Sequence, residues 1–341
     1  MEVWTLLNDA DRITLSHGSG GRAMTDLIEQ VFLAAYGGDG FSRDDSAVIS
    51  VGEGDLAFTT DSFVVDPIFF PGGDIGRLAV AGTVNDLLTA GARPIAISVS
   101  FIIEEGLEVG DLKSIAASVR EAADEANVRI VTGDTKVVPH GSADRVFITT
   151  SGVGAVLRPG ISGASAKPGD KVILTGSIAD HGTAVMLARE KLLDSEAIES
   201  DVAPLTEMVL RLMESGCDIH AMRDPTRGGI ASSSNEIAAQ SQVSIQIDEA
   251  LIRVKPAVNA ACEALGIEPF FVANEGKMVI IVAARDADRA LEIARSSRYG
   301  EEAEIIGQVG HVPPGRVSVK TAIGTSRVLQ PPSGELLPRI C

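Results

Sequence analysis

DIGRLAVAGTVNDLLTAGARP, residues 74–94, is a helix set among strands. Its apolar residues recur at spacings of three and four, Asp74 stands where a first turn is capped, and Gly91 followed by Pro94 marks the stop. Asn85 and Asp86 lie inside this apolar run. A buried carboxylate without a partner costs several kcal/mol, so the pair needs a reason.

Outward from the helix, short β-branched runs alternate with helical patterns. SAVISV (46–51), DLAFTTDSFVV (55–65), PIAISVSFII (94–103), VRIVTGDTKVV (128–138) and RVFITTSGVGAV (145–156) predict strands in the first half. KVILTG (171–176), VSIQID (243–248) and KMVIIVA (277–283) predict strands in the second half. Residues 157–170, LRPGISGASAKPGD, are rich in Gly, Ser and Pro and read as a linker between domains 1–156 and 171–314. Beyond them, 315–341 reads as a tail that opens with a hairpin pattern around Gly324 and ends PPSGELLPRIC. Eleven extended residues at ~3.3–3.6 Å each give Cys341 a reach of roughly 35 Å.

Composition narrows the function. The 341 residues carry a formal net charge of −18, and no segment offers the positive footprint that nucleic acid or an anionic membrane requires. No apolar run approaches the ~18 residues of a membrane span, and MEVWTLLNDADRITL lacks the basic start of a signal peptide. Three cysteines without CxxC spacing argue against a disulfide framework and against a zinc site, and the expected compartment is the cytoplasm.

The chemistry-bearing residues fall mostly in the first half. HGSGGR, 17–22, is a glycine-dense turn before a helical pattern, able to gather backbone N–H groups around phosphate or to be a plain surface turn. Asp44, Asp45, Asp61, Asp86 and Asp134 have ordinary uses one at a time, as caps, strand ends or solvated faces. Together they fit a Mg²⁺–nucleotide site, because Mg²⁺ takes hard oxygen ligands. Walker A, protein-kinase and GxSxG motifs are absent.

HGSGG, DDSAV, TTDSF, LAVAGTVNDLLTAGARP, TGDTKVV, RDPTRGG and NEGKM resemble the ATP-binding superfamily of aminoimidazole ribonucleotide synthetase, selenophosphate synthetase and thiamine-monophosphate kinase. The terminal PRIC makes the chain similar to one branch, the carbamoyl dehydratases of nickel–iron hydrogenase maturation. The resemblance implies an α+β fold of two domains, each a mostly antiparallel sheet covered by helices, with a flexible C-terminal tail and a homodimer formed through the N-terminal sheets. It implies ATP and Mg²⁺ as cofactors, a HypF-type carbamoyltransferase as donor, and a HypC/HypD-type iron scaffold as recipient. Cys341 would carry a thiocarboxamide that ATP-dependent dehydration turns into a thiocyanate, with Lys136 and Glu275 acting on the tail. Asp45, Asp61, Asp86 and Asp134 would handle the metal. His17, Gly18, Gly20, Gly21, Asp61, Asn85, Asp86, Asp134 and Arg227 would hold the nucleotide.

Each residue keeps a plain alternative. Lys136 can end a strand in solvent, Glu275 can sit in a turn, RDPTRGG can be a helix entry, and Cys341 can be an incidental thiol. Two rival functions also stand: a thiamine-phosphate kinase-like phosphotransferase, for which the tail is irrelevant, and a thiol carrier that performs no chemistry.

Overall fold

In the computed structural model, which describes residues 12–18, 21–36, 43–52, 54–190, 198–332 and 339–341, Ile75–Thr89 is the helix around which the first layer is built. The Asp74 carboxylate accepts from the backbone N–H groups of Gly76 (2.7 Å) and Arg77 (3.0 Å), which satisfies two of the donors a helix start leaves open. At the other end Gly91 adopts a left-handed φ of 65°, a conformation glycine takes without strain. Ile75, Leu78, Val80, Val84 and Leu87 are fully buried, so the helix is apolar on nearly every side because it is packed on nearly every side.

One side packs against a six-stranded sheet. Its order is Ala47–Val51, Gly54–Phe63, Val146–Val156, Ala92–Glu104, Arg129–Thr132, with Thr135–Val138 also on Ala92–Glu104. The first four strands are antiparallel, and the last two run parallel to Ala92–Glu104. Burial alternates residue by residue along Val146–Val156, as expected of a sheet with one covered face. Val48, Ile49, Phe58, Ile102, Ile130, Val131 and Val137 remain exposed.

The second sheet has seven strands in the order Ile219–Arg223, Val279–Val282, Lys171–Leu174, Glu304–Gly310, Ser244–Asp248, Arg316–Lys320, Ser326–Leu329. It is antiparallel except where Ser244–Asp248 meets Arg316–Lys320. Its central strands are buried on both faces, with the two-residue period sorting them. Ile280, Val282 and Ile173 join Leu78 and Leu88 in one core, while Val279, Ile281 and Val172 join Val317 in another. The first core therefore belongs to both sheets. Among the described residues no helix is long and apolar enough to cross a membrane.

Two expectations change. The 157–170 stretch is packed in place: Ile161 and Ala166 are buried, Ser162 N–H donates to His220 O (3.1 Å), and Gly163 N–H donates to the Asp44 carboxylate (2.9 Å). Small residues without periodicity mark a close-fitting loop here as readily as a loose one. The hairpin assigned to the tail is instead part of the second sheet, because Val317, Val319 and Leu329 are buried and Arg316–Lys320 pairs in register with Ser244–Asp248.

Candidate active site

The buried helix brings Asp86 to a cluster of acids drawn from both sheets. Asp45 enters from the loop before Ala47–Val51, Asp61 from Gly54–Phe63, and Asp224 from the end of Ile219–Arg223. Carboxylate oxygens of Asp45, Asp86 and Asp224 lie within 4.8 Å of one another. The Thr59 hydroxyl is 2.7 Å from Asp86 Oδ2 and 2.9 Å from the Asp45 carbonyl, and Ser46 Oγ donates to the Asp86 carbonyl at 2.8 Å. These contacts pin the loop to the helix.

Crowded carboxylates resist ionisation. Burial, then the charges of Asp61, Asp224 and Asp45, pushes Asp86 well above the usual carboxylate range. Asp224 rises likewise through burial and the charges of Asp45 and Asp61. Asp45 is pushed up to about 6 by burial, against the pull of Arg223. Asp61 rises through burial, opposed by Arg227 and by hydrogen bonds with Asp86 and Thr83. Asp45 Oδ2 has no hydrogen-bond partner among the described residues. Asp45, Asp86 and Asp224, whose oxygens share one locus, form a site suited to a hard cation.

Arg223 is the buried cation at the rim. It reaches Asp45 Oδ1 at 2.8 Å, the Arg43 carbonyl at 2.8 Å and Glu236 Oε2 at 3.1 Å, joining the second sheet to the first-sheet acids. Its charge is held more firmly than an ordinary arginine's because four acidic neighbours outweigh its burial.

The end of the tail lies along the segment that follows Gly54–Phe63. Ile340 is buried at 4 % exposure, the Cys341 carbonyl accepts from Val64 N–H (3.2 Å), and the Arg339 carbonyl accepts from Asp66 N–H (3.2 Å). Arg339 also forms ion pairs with Asp66 (3.1 Å) and Asp144. Cys341 keeps part of its surface exposed, yet its thiol titrates as a buried group. Burial pushes it up to about 12, with Arg227 pulling down and Glu275, Asp61 and Asp224 pushing further up. Reciprocally, Cys341, once ionised, is the foremost of the groups that hold the Arg227 proton in place.

Glu275 is 2 % exposed, and its Oε1 has no partner among the described residues. Its backbone is fixed by Asp201, which accepts from its N–H at 3.1 Å. Burial, then the charges of Asp224 and Asp201, pushes its carboxyl well above the usual range.

The expected residues thus divide. Asp45 and Asp86 meet with Asp224, Asp61 lies in reach of Asp86, and Arg227, Glu275 and Cys341 are coupled to Asp61 through their charges. Asn85 does not face the acids: its amide donates to the carbonyls of Ala203 (3.1 Å) and Glu275 (3.4 Å), and its Oδ1 accepts from Leu205 N–H (2.9 Å). One residue is a rotation of about 100° on a helix, so neighbours in sequence serve different sides. Asp134, in the link between Arg129–Thr132 and Thr135–Val138, pairs at 3.0 Å with Lys136 on the exposed second strand, and no described contact ties them to the acids. His17 bonds to Thr14 on the surface, Gly18 ends a short turn, and Gly20 lies outside the described residues. Gly21 packs so closely on the Pro332 carbonyl that a side chain would collide with it. Gly21 thus meets the start of the tail.

Asp224 is the functional candidate that sequence reasoning missed. It stood inside RDPTRGG, between an arginine and a Pro-Thr-Arg-Gly-Gly turn, a position where a carboxylate has no helix face or strand period to explain it.

Comparison with known proteins identifies the family. The family model described as AIR synthase related protein, N-terminal domain, matches residues 43–156, and its C-terminal domain counterpart matches 167–320. The carbamoyl dehydratase HypE of Cupriavidus necator is 48% identical over 337 residues, spanning 97% of this chain and 95% of that protein. A crystal structure of a HypE–HypF complex superposes with TM-score 0.85 at 50% identity, covering 90% of this chain and 99% of that one. A HypE crystallised with ATP gives 0.82 at 45% identity, covering 96% and 99%. Two domain matches in the right order and near-half identity over almost the whole length leave one conclusion: the chain belongs to the AIR synthase related family, among the HypE carbamoyl dehydratases.

Proposed function

We propose that this protein carries a carbamoyl group on the Cys341 sulfur and uses ATP to dehydrate it to a thiocyanate, a source of cyanide for the iron of nickel–iron hydrogenase. The observation that carries the reading is the Cys341 end of the chain docked along residues 64–66, with its thiol in the electrostatic reach of Arg227, Glu275, Asp61 and Asp224. Its relatives are named for this activity, and one of them crystallises with ATP.

The reaction balances simply. The terminal phosphoryl of ATP passes to the carbamoyl oxygen, the C–O bond breaks as phosphate departs, and the nitrogen loses both protons, one ending on phosphate and one in solvent. Transfer to oxygen turns a poor leaving group into a good one. Glu275, once ionised, is a strong base in a water-poor pocket and takes a nitrogen proton at its carboxylate. Arg227 neutralises charge beside the sulfur. Asp45, Asp86 and Asp224 fit Mg²⁺, being hard oxygens with one Asp45 oxygen left without a partner among the described residues. Bound there, the ion supplies positive charge against the phosphates.

The thiol's raised pKa assigns two steps to two places. A pocket that disfavours thiolate favours uncharged sulfur, which both the carbamoylated and the cyanated forms provide. Loading by a HypF-type carbamoyltransferase needs a thiolate and therefore an undocked tail. Delivery to a HypC/HypD-type iron scaffold needs the same release. The exposed apolar side chains of the first sheet suit a homodimer, and pairing there would enclose Asp134 and Lys136, which a single chain leaves in the open.

The test is a mass spectrum of the tail peptide from carbamoylated protein incubated with Mg–ATP and no partner. Loss of water is expected from the wild type, while Glu275→Gln should keep the carbamoyl group. An unchanged carbamoyl mass in the wild type points to a carrier. Undiminished phosphoryl transfer to another acceptor after Cys341→Ala points to a phosphotransferase.

A further inference from the structure

The last three residues are held largely through their carbonyls. The Arg339 carbonyl accepts from Asp66 N–H (3.2 Å) and from Arg189 Nη2 (2.6 Å), and the Cys341 carbonyl accepts from Val64 N–H (3.2 Å). The Ile340 carbonyl lies between them and turns elsewhere. Its partner is His181 Nε2 at 2.8 Å.

This contact decides the state of the ring. A carbonyl only accepts, so Nε2 carries the hydrogen. Nδ1 lies 2.7 Å from Ser200 Oγ, whose hydroxyl donates to it when the imidazole is neutral. Burial agrees, pushing the His181 pKa below its usual value against the opposing charge of Asp201. The Phe70 ring meets the imidazole edge-on at 5.4 Å, which leaves little freedom to tilt. His181 is fully buried and belongs to a helix, Asp180–Glu190, that contributes no acid to the cluster.

We propose that His181 is a positioning residue for the dehydration. Its Nε2–H, set by Ser200, fixes the rotation of the Ile340 peptide so that the Cys341 sulfur is presented to Arg227 and Glu275. The inference rests on the carbamoyl-carrier reading. The buried Ile340 side chain gives the tail attachment, but an apolar contact is tolerant of rotation. The carbonyl bond supplies the direction that a reaction at the next residue requires.

The experiment uses the full chain with His181→Phe, His181→Gln and Ser200→Ala, all checked by thermal melting. Two rates are read: alkylation of Cys341 by iodoacetamide without nucleotide, and single-turnover loss of water from carbamoylated protein with Mg–ATP. Loss of a buried hydrogen bond predicts about tenfold faster alkylation in His181→Phe. Its water-loss rate should fall by at least that factor while the KM for ATP stays put. Glutamine places an amide N–H near the lost Nε2 and should recover most of both rates, and Ser200→Ala should lie between. Wild-type alkylation in His181→Phe, no recovery in a folded His181→Gln, or a change in ATP KM alone would overturn the proposal. If His181→Phe does not fold, wild-type rates in Ser200→Ala overturn it instead. Carbamoylated wild type that keeps its carbamoyl group would defeat the functional reading and leave the alkylation comparison standing.

Discussion

Asp224 shows how a single carboxylate can serve a site at a cost to the fold. Burial and the charges of Asp45 and Asp61 make its ionised form unfavourable, so at neutral pH it opposes folding. Asp224→Asn keeps the shape and removes the repulsion. It should raise the melting temperature slightly while lowering Mg²⁺-dependent ATP turnover by at least about 100-fold. A lower melting temperature with intact turnover would make Asp224 structural. The residue also marks where sequence reading stops. Asp45, Asp61 and Asp86 announce themselves as polar residues in apolar or strand-like surroundings, whereas Glu275 is reached through the family resemblance. Asp224 sits in a turn, where a carboxylate looks unremarkable until the fold brings Ile219–Arg223 against the other acids. Asn85 errs in the opposite sense: it shares a helix turn with Asp86, but its side chain is spent on the backbone that carries Glu275.

At the scale of elements, that same asparagine ties the Ile75–Thr89 helix to segments of the second half of the chain. Its amide satisfies Ala203 O, Glu275 O and Leu205 N–H, groups with no route to water. Asn85→Ala should cost about 2–4 kcal/mol in urea unfolding, since several buried polar groups lose their partner together. The KM for ATP should change little, and a large rise in it without destabilisation would return Asn85 to the nucleotide site. Helix and strand periods were legible because they are local: the capped helix and the runs of Val and Ile appear in the structure where the pattern puts them. The hairpin around Gly324 was legible, but its seat in the second sheet and the packing of the 157–170 loop were not, because what fixes each is a partner far along the chain, Ser244–Asp248 for one and Asp44 and His220 for the other.

At the scale of the whole molecule, docking of the tail is linked to pH through its thiol. The Cys341 pKa rises from the usual 9.0 to about 12 on docking, so the docked form favours the proton. That contribution is fully present below about 9 and is lost as pH climbs from there toward 12. Trypsin cleavage after Arg339, corrected for the pH dependence of a free peptide, should therefore accelerate above pH 9, and Cys341→Ser should flatten the curve. A curve unchanged by the serine would mean that the thiol does not sense docking. One feature of the fold sets how this release is used. Pro332 is seated against Gly21, and only residues 333–338 separate it from Arg339. A tether so short keeps the thiol at an effective concentration on the order of millimolar around its groove. A contact too weak to hold a free tripeptide is then occupied most of the time, and re-entry after loading is independent of how much protein is present. Thiols of unattached peptides at micromolar levels cannot compete for the groove, so the enzyme is private to its own substrate without needing a tight binding site.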